Sequence, residues 1–168
     1  MISLFRQKLY EHYFNDEIFK TDIERIFKDK CSEGCALKGD LRDYVILDGD
    51  VIQECMHKDD IKSVDCILLN KNSEGKINIL LCELNQGTSG KSVTDVKKKM
   101  EDSGKHIFNL CNEEGFEIKH FKCLYLGRYS LKPTKPSLIR VSIEGSGLHN
   151  ITILNKPCGF ILKDSFFA

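Results

Sequence analysis

Leu4, Leu9, Tyr13 and Phe14 fall along one apolar stripe, and Ile18, Phe19, Ile23, Ile26 and Phe27 along a second. Residues 2–30 are therefore expected to be helical, with Asn15-Asp16 breaking the run and capping its second half. Cys31 to Gly39 has the composition of a loop. Asp48-Gly49 lies between the apolar runs Tyr44–Leu47 and Val51-Ile52, which predicts a hairpin across Asp43–Gln53. Ser63–Leu69 predicts a third strand, residues 70–75 a turn, and Lys76–Asn85 a fourth strand. In that fourth strand Ile77, Ile79 and Leu81 share one face, and Leu80, Cys82 and Leu84 the other. A strand apolar on both faces belongs in the middle of a sheet.

Val93, Val96, Met100, Ile107, Phe108 and Cys111 recur at helical spacing, so residues 92–111 predict a long amphipathic helix. Ser92 followed by Asp95 resembles a capping box, and Gly104 weakens the helix centre. Phe121–Gly127, Leu138–Ile143, Ile151–Leu154 and Phe160–Leu162 predict further strands, with residues 132–136 as a loop. Helices, then strands, one long helix and more strands give an α+β class, or α/β with a mixed sheet. One domain over residues 1–168 is expected: N-terminal helices over 1–30, a core over 43–127 and C-terminal strands over 128–168.

Composition narrows this picture slightly. The chain has 168 residues, 41% hydrophobic and 30% charged, with 25 basic and 25 acidic side chains. A net charge of zero gives no global attraction to nucleic acid, although a local basic face stays open. No apolar run reaches the ~20 residues of a membrane helix, and the first residues carry no export-signal pattern. The expectation is a cytoplasmic protein, not membrane-bound, whose eight cysteines are reduced and partly fill the core. Cys31, Cys35, Cys55 and His57 form a lesser candidate set of zinc ligands. The remaining histidines have no nucleophile at a pairing distance in sequence, and Cys-x-x-Cys is absent.

Two kinds of chemistry compete for Ile79–Val93. Residues 85–92, NQGTSGKS, come close to a phosphate loop: Gly90, Lys91 and Ser92 match, and Asn85 replaces the first glycine. No later strand supplies the magnesium-binding acid that such a loop needs, because Phe121–Gly127 runs into Arg128 and Tyr129. The acids indicate a different site. Asp65 opens one strand and Glu83 closes the next, so a hairpin would set the two carboxylates opposite each other. A hard divalent cation would relieve their repulsion, and magnesium suits such a site.

Asp65, seventeen residues, then Glu83-Leu84-Asn85, a turn and a helix, resembles the motif of the PD-(D/E)XK nuclease superfamily. The resemblance covers the N-terminal helices to about Gly127. It implies a restriction-endonuclease-like fold, a central mixed sheet flanked by helices. It also implies Mg²⁺ or Mn²⁺ held by Asp65, Glu83 and the Leu84 carbonyl, and hydrolysis of DNA or RNA in defence or repair. An additional acid from an early helix, Glu11 or Glu24, fits the same pattern. Val64 stands where the family has proline, and Asn85 where it has the catalytic lysine. Three outcomes stay open: Asn85 suffices; Lys91 or one of Lys97–Lys99 replaces the missing lysine; or the site is inactive and the fold serves a protein partner. Lys97–Lys99 also read as a solvated helix face, or as part of a phosphate-tracking patch with Arg128, Lys132 and Lys135.

Overall fold

A computed structural model describes residues 7–9, 11, 23–32, 34–56, 61–87, 91–132 and 139–168, without the side chains of residues 23, 24, 55 and 56. The described residues form a mixed α/β structure around one seven-stranded sheet. Its strands are β1 (Phe27–Lys28), β3 (Val45–Asp48), β4 (Cys66–Lys71), β5 (Ile77–Asn85), β6 (Ile118–Gly127), β7 (Arg140–Ile143) and β8 (Leu148–Lys156). They lie in the order β1-β3-β4-β5-β6-β8-β7. A separate parallel pair joins β2 (Lys38–Gly39) to β9 (Ile161–Leu162). Two α-helices lie wholly within the described residues, α1 (Gly49–Met56) and α2 (Val93–Glu113).

β5 is the middle strand, and every residue in it is buried. Its two faces feed two cores. Ile77, Ile79 and Leu81 pack under α1 and α2 with Val51, Val96, Met100 and Ile107. Leu80, Cys82 and Leu84 pack with Leu37, Leu68, Leu124 and Phe167 on the opposite side. β4 and β5 pair antiparallel, while β5 and β6 pair parallel, with α2 as the crossover. The C-terminal ends of β5 and β6 therefore lie together, beside the start of α2.

The expected strand at 76–85 and helix at 92–111 form at those positions, within two residues. Ser92 caps α2, accepting a hydrogen bond from Asp95 N at 3.4 Å. Gly104 does not mark a weak point in the way expected. A side chain there would meet Ile143 Cδ1 at 2.2 Å, so glycine lets β7 lie close against α2. The later strands at 121–127, 138–143, 151–154 and 160–162 all appear, with shifted ends.

Four expectations need correction. The Asp48-Gly49 hairpin does not form, because the chain enters α1 there. Asp48 Oδ1 accepts from Asp50 N at 3.0 Å and Val51 N at 3.3 Å, so the aspartate is a helix cap. Residues 27 and 28, expected to be helical, form β1, after a 3-10 turn at Ile23–Ile26. Most of the predicted N-terminal helical run lies outside the described residues; residues 7–9 and 11 are helical.

The other two corrections concern cysteine. Cys31 is bonded to Cys66, and Cys35 to Cys158, so these four are not reduced thiols. A zinc set containing Cys31 and Cys35 is lost with them, since a sulfur spent in a disulfide is not a thiolate ligand. The Cys55 side chain and His57 lie outside the described residues. Cys82, Cys111 and Cys123 are free and buried, as small apolar residues. Among the described residues, no helix is long and apolar enough to cross a membrane.

Candidate functional site

The site forms where β4 begins and β5 ends. Cys66 pairs with Cys82, so continuing the antiparallel register sets Asp65 opposite Glu83. Asp65 N donates to Glu83 Oε2 at 3.2 Å, and Leu84 N donates to Asp65 Oδ2 at 2.7 Å. Asp65 is 6% exposed and Glu83 0%. Two carboxylates are thus held together out of water, an arrangement that is unfavourable without cations.

Two lysines supply that positive charge. Lys91 Nζ lies 2.5 Å from Glu83 Oε1, 2.7 Å from the Leu84 carbonyl oxygen and 3.7 Å from Asp65 Oδ2. Lys99 Nζ donates to the same Glu83 Oε1 at 2.7 Å. Burial and the Asp65 charge raise the Glu83 pKa, against the hydrogen bonds from Lys91 and Lys99 that lower it. Burial pulls the Lys99 ammonium down, but its bond to Glu83 and the surrounding carboxylates leave its pKa raised overall. Of the lysines considered as replacements, Lys91 and Lys99 reach Glu83. Lys97 faces Glu101 at 3.8 Å and Lys98 faces Asp102 at 2.9 Å, along the outer surface of α2.

Asn85 does not point at the acids. Its Nδ2 donates to the Tyr125 hydroxyl at 3.0 Å, and its Oδ1 accepts from Gly87 N at 3.0 Å. This amide ties β5 to β6 and closes the first turn of the loop. It is buried, and both ends of the amide bond to the protein. For the phosphate-loop reading, residues 88–90 lie outside the described residues. Lys91, which would grip phosphate in such a loop, is instead bound to the carboxylates.

Asp50 is an acid that sequence reasoning missed. Gly49 N donates to the Asp65 carbonyl at 3.1 Å, so the start of α1 abuts the start of β4. A side chain at position 49 would lie 1.5 Å from the Val64 carbonyl oxygen, which restricts this contact to glycine. Asp50 follows. The residue is exposed, yet partial burial raises its carboxyl pKa, and the nearby Asp65 and Asp48 charges add to the effect. The signal was present in Asp48-Gly49-Asp50, had it been taken as a helix cap with an acidic first turn. Glu11 is exposed and accepts from Gln7, and the Glu24 side chain lies outside the described residues.

A buried hydroxyl network holds Asp65 in place. Val64 N donates to Ser103 Oγ at 2.9 Å, and Ser103 Oγ lies 3.3 Å from Ser63 Oγ. Lys62, one residue earlier, binds Asp102 through its backbone N at 2.9 Å and Asp95 through its ammonium. This stretch before β4 is therefore fastened to α2 along two turns.

Asp65 Oδ2, Glu83 Oε1 and the Leu84 carbonyl converge on one point, where the Lys91 ammonium sits. All three are hard oxygen donors of the kind magnesium or manganese accepts. Among the described residues, no cluster of three or more His, Cys, Asp or Glu side chains forms a metal group. Two carboxylates and one backbone carbonyl therefore meet at the position that the Lys91 ammonium occupies. No family model, curated protein or solved structure matches this chain.

Proposed function

We propose that the protein is a divalent-metal-dependent phosphodiesterase of the PD-(D/E)XK type, hydrolysing DNA or RNA, with a role in defence or repair. The observation that carries this reading is the convergence of Asp65 Oδ2, Glu83 Oε1 and the Leu84 carbonyl on a single cationic position. The order β3-β4-β5-α2-β6 also agrees with a restriction-endonuclease-like core. Asp65, Glu83 and the Leu84 carbonyl would hold Mg²⁺ or Mn²⁺. Such an ion supplies Lewis-acid activation of water and stabilises charge developing on the phosphate.

The chain's own groups do the rest. Glu83 is fixed by its strand and by Lys99, so its carboxylate is oriented before substrate arrives. Lys99 stays protonated and offsets negative charge at the scissile phosphate, the task left open by Asn85. Lys91, whose ammonium sits at the same three oxygens, would give up that position to such an ion and add positive charge beside it. The test is cleavage of single- and double-stranded DNA and RNA with Mg²⁺ or Mn²⁺. Glu83→Gln should abolish detectable cleavage, because it removes one of the two carboxylates that would hold the ion. Equal rates for the variant and the parent would reject the assignment.

One observation favours a second reading, a catalytically silent nuclease fold serving as an interaction module for a protein partner. Asp65 and Glu83 already face two ammonium groups, so the cluster is neutral without a metal. Calorimetric titration with Mn²⁺ separates the two readings: saturable binding lost in Glu83→Gln supports the enzyme, and no binding supports the module.

A further inference from the structure

Beside the carboxylate cluster, Lys91, Ser92 and Val93 at the start of α2 face Tyr129, Ser130, Leu131 and Lys132 after β6 across a groove of about 430 Å³. That volume lies within the roughly 300–1,000 Å³ of sites that hold small ligands. Lys91 belongs to both features: it lines the groove and binds Glu83. We propose that this groove seats one unpaired nucleic-acid strand, with a base stacked on Tyr129 and phosphates met by Lys132 and Arg128. This rests on the phosphodiesterase reading, and it adds the form of the substrate: single-stranded, or frayed at an end.

Three observations support it. Tyr129 is 48% exposed, one of two large hydrophobic side chains left exposed among the described residues. A half-exposed aromatic ring beside a cationic groove, with a guanidinium over it, is the element that base stacking uses. Among the described residues the charge is one-sided: the lining contains Lys91 and Lys132 and no acid, and the Arg128 guanidinium carbon lies 5.9 Å from the Tyr129 ring centre. The segment is also anchored. Leu131 is buried, and its N–H donates to Asn155 Oδ1 at 2.9 Å, so the ring stands on a fixed backbone. A base inside a duplex has both faces covered by its neighbours and can meet Tyr129 only if extruded. The groove therefore selects against intact duplex.

The experiment is fluorescence anisotropy with a short labelled thymidine oligonucleotide, and with a duplex of equal length, in chelator so that cleavage does not interfere. The expected result is tighter binding of the single strand. Tyr129→Ala should weaken it about 5- to 150-fold, the range for loss of one stacked base, while Tyr129→Phe retains it. Lys132→Ala should weaken binding and lower the salt dependence by about one phosphate contact. Unchanged binding in both Tyr129→Ala and Lys132→Ala, equal affinity for duplex, or no binding to either oligonucleotide would overturn the proposal. Should Tyr129→Ala fold poorly, Tyr129→Leu, which keeps an apolar side chain without a ring, should also weaken binding, and unchanged binding there would overturn the stacking. The two readings fail separately. Tyr129-dependent binding without Mn²⁺-dependent cleavage removes the phosphodiesterase and keeps the groove; Glu83-dependent cleavage with a silent Tyr129 does the reverse.

Discussion

An ammonium 2.5 Å from Glu83 Oε1 and 2.7 Å from the Leu84 carbonyl competes with any divalent cation for the same oxygens. Lys91→Ala should therefore raise Mn²⁺ affinity, by about tenfold for each 1.4 kcal/mol of lost competition. Calorimetry on the variant checks this, and weaker or equal binding would mean that Lys91 and metal do not share the position. Asp50 gives a prediction in pH. Its carboxyl pKa is raised above the ordinary 3.8, so the folded chain holds that proton more tightly than the unfolded chain. The sign follows: stability from this group is present below 3.8 and is lost as pH rises through the folded value. Asp50→Asn should leave the melting temperature unchanged in strong acid and raise it at neutral pH. The gain should stay below about 1 kcal/mol, because the residue is exposed and screened. A neutral-pH melting temperature at or below the parent's would show that Asp50 carries no such penalty. At this scale the Asp65–Glu83 pair was legible because both residues belong to one hairpin, whose turn at residues 72–76 centres the register. The position of Lys91 was not legible, since five residues separate it from β5 and no sequence pattern fixes where its ammonium ends.

α2 serves as the back support of the site, and its sequence signals were strong: a capping serine, a continuous apolar stripe and a length of 21 residues. Lys99 was ambiguous beside Lys97 and Lys98. The helical repeat separates them, because Lys99 lies between Val96 and Ser103, which are both buried against the sheet. α1 was missed for a physical reason. Asp-Gly suits a tight hairpin turn, but aspartate is also a preferred helix cap, and burial of Val51 and Ile52 under the sheet selected the helix. The junction between α2 and β4 yields a prediction. Ser103→Ala removes the acceptor for Val64 N in a buried setting, which costs about 1–3 kcal/mol. It also loosens the residue preceding Asp65. Denaturant unfolding should show that loss, and metal affinity should fall with it. A stability loss with unchanged metal affinity would mean that the Ser103 network supports the fold without positioning the acid.

Across the whole molecule, two disulfides tie the segment before β3 to the sheet and to the C-terminal region, on the face opposite α2. Their pairing could not be read from sequence, since the partners are 35 and 123 residues apart and meet only when the second core closes. That separation predicts unequal effects. A chain-entropy treatment gives about 4 kcal/mol for Cys31–Cys66 and about 5 kcal/mol for Cys35–Cys158. Replacing both cysteines of a pair by serine should then destabilise the fold more for the long link. The site should respond in the opposite order. Cys66 directly follows Asp65, whereas Cys158 lies on the turn after β8, so loss of Cys31–Cys66 should weaken Mn²⁺ binding more than loss of Cys35–Cys158. Because stability and metal affinity are expected to rank the two variants differently, a general loosening of the protein cannot account for both measurements. The same ranking in both would mean that the link at Cys66 stabilises the chain without setting the position of Asp65. Disulfides persist in oxidising surroundings and are reduced in the cytosol, so treating the native chain with a reductant adds a comparison with the form a reducing compartment would hold.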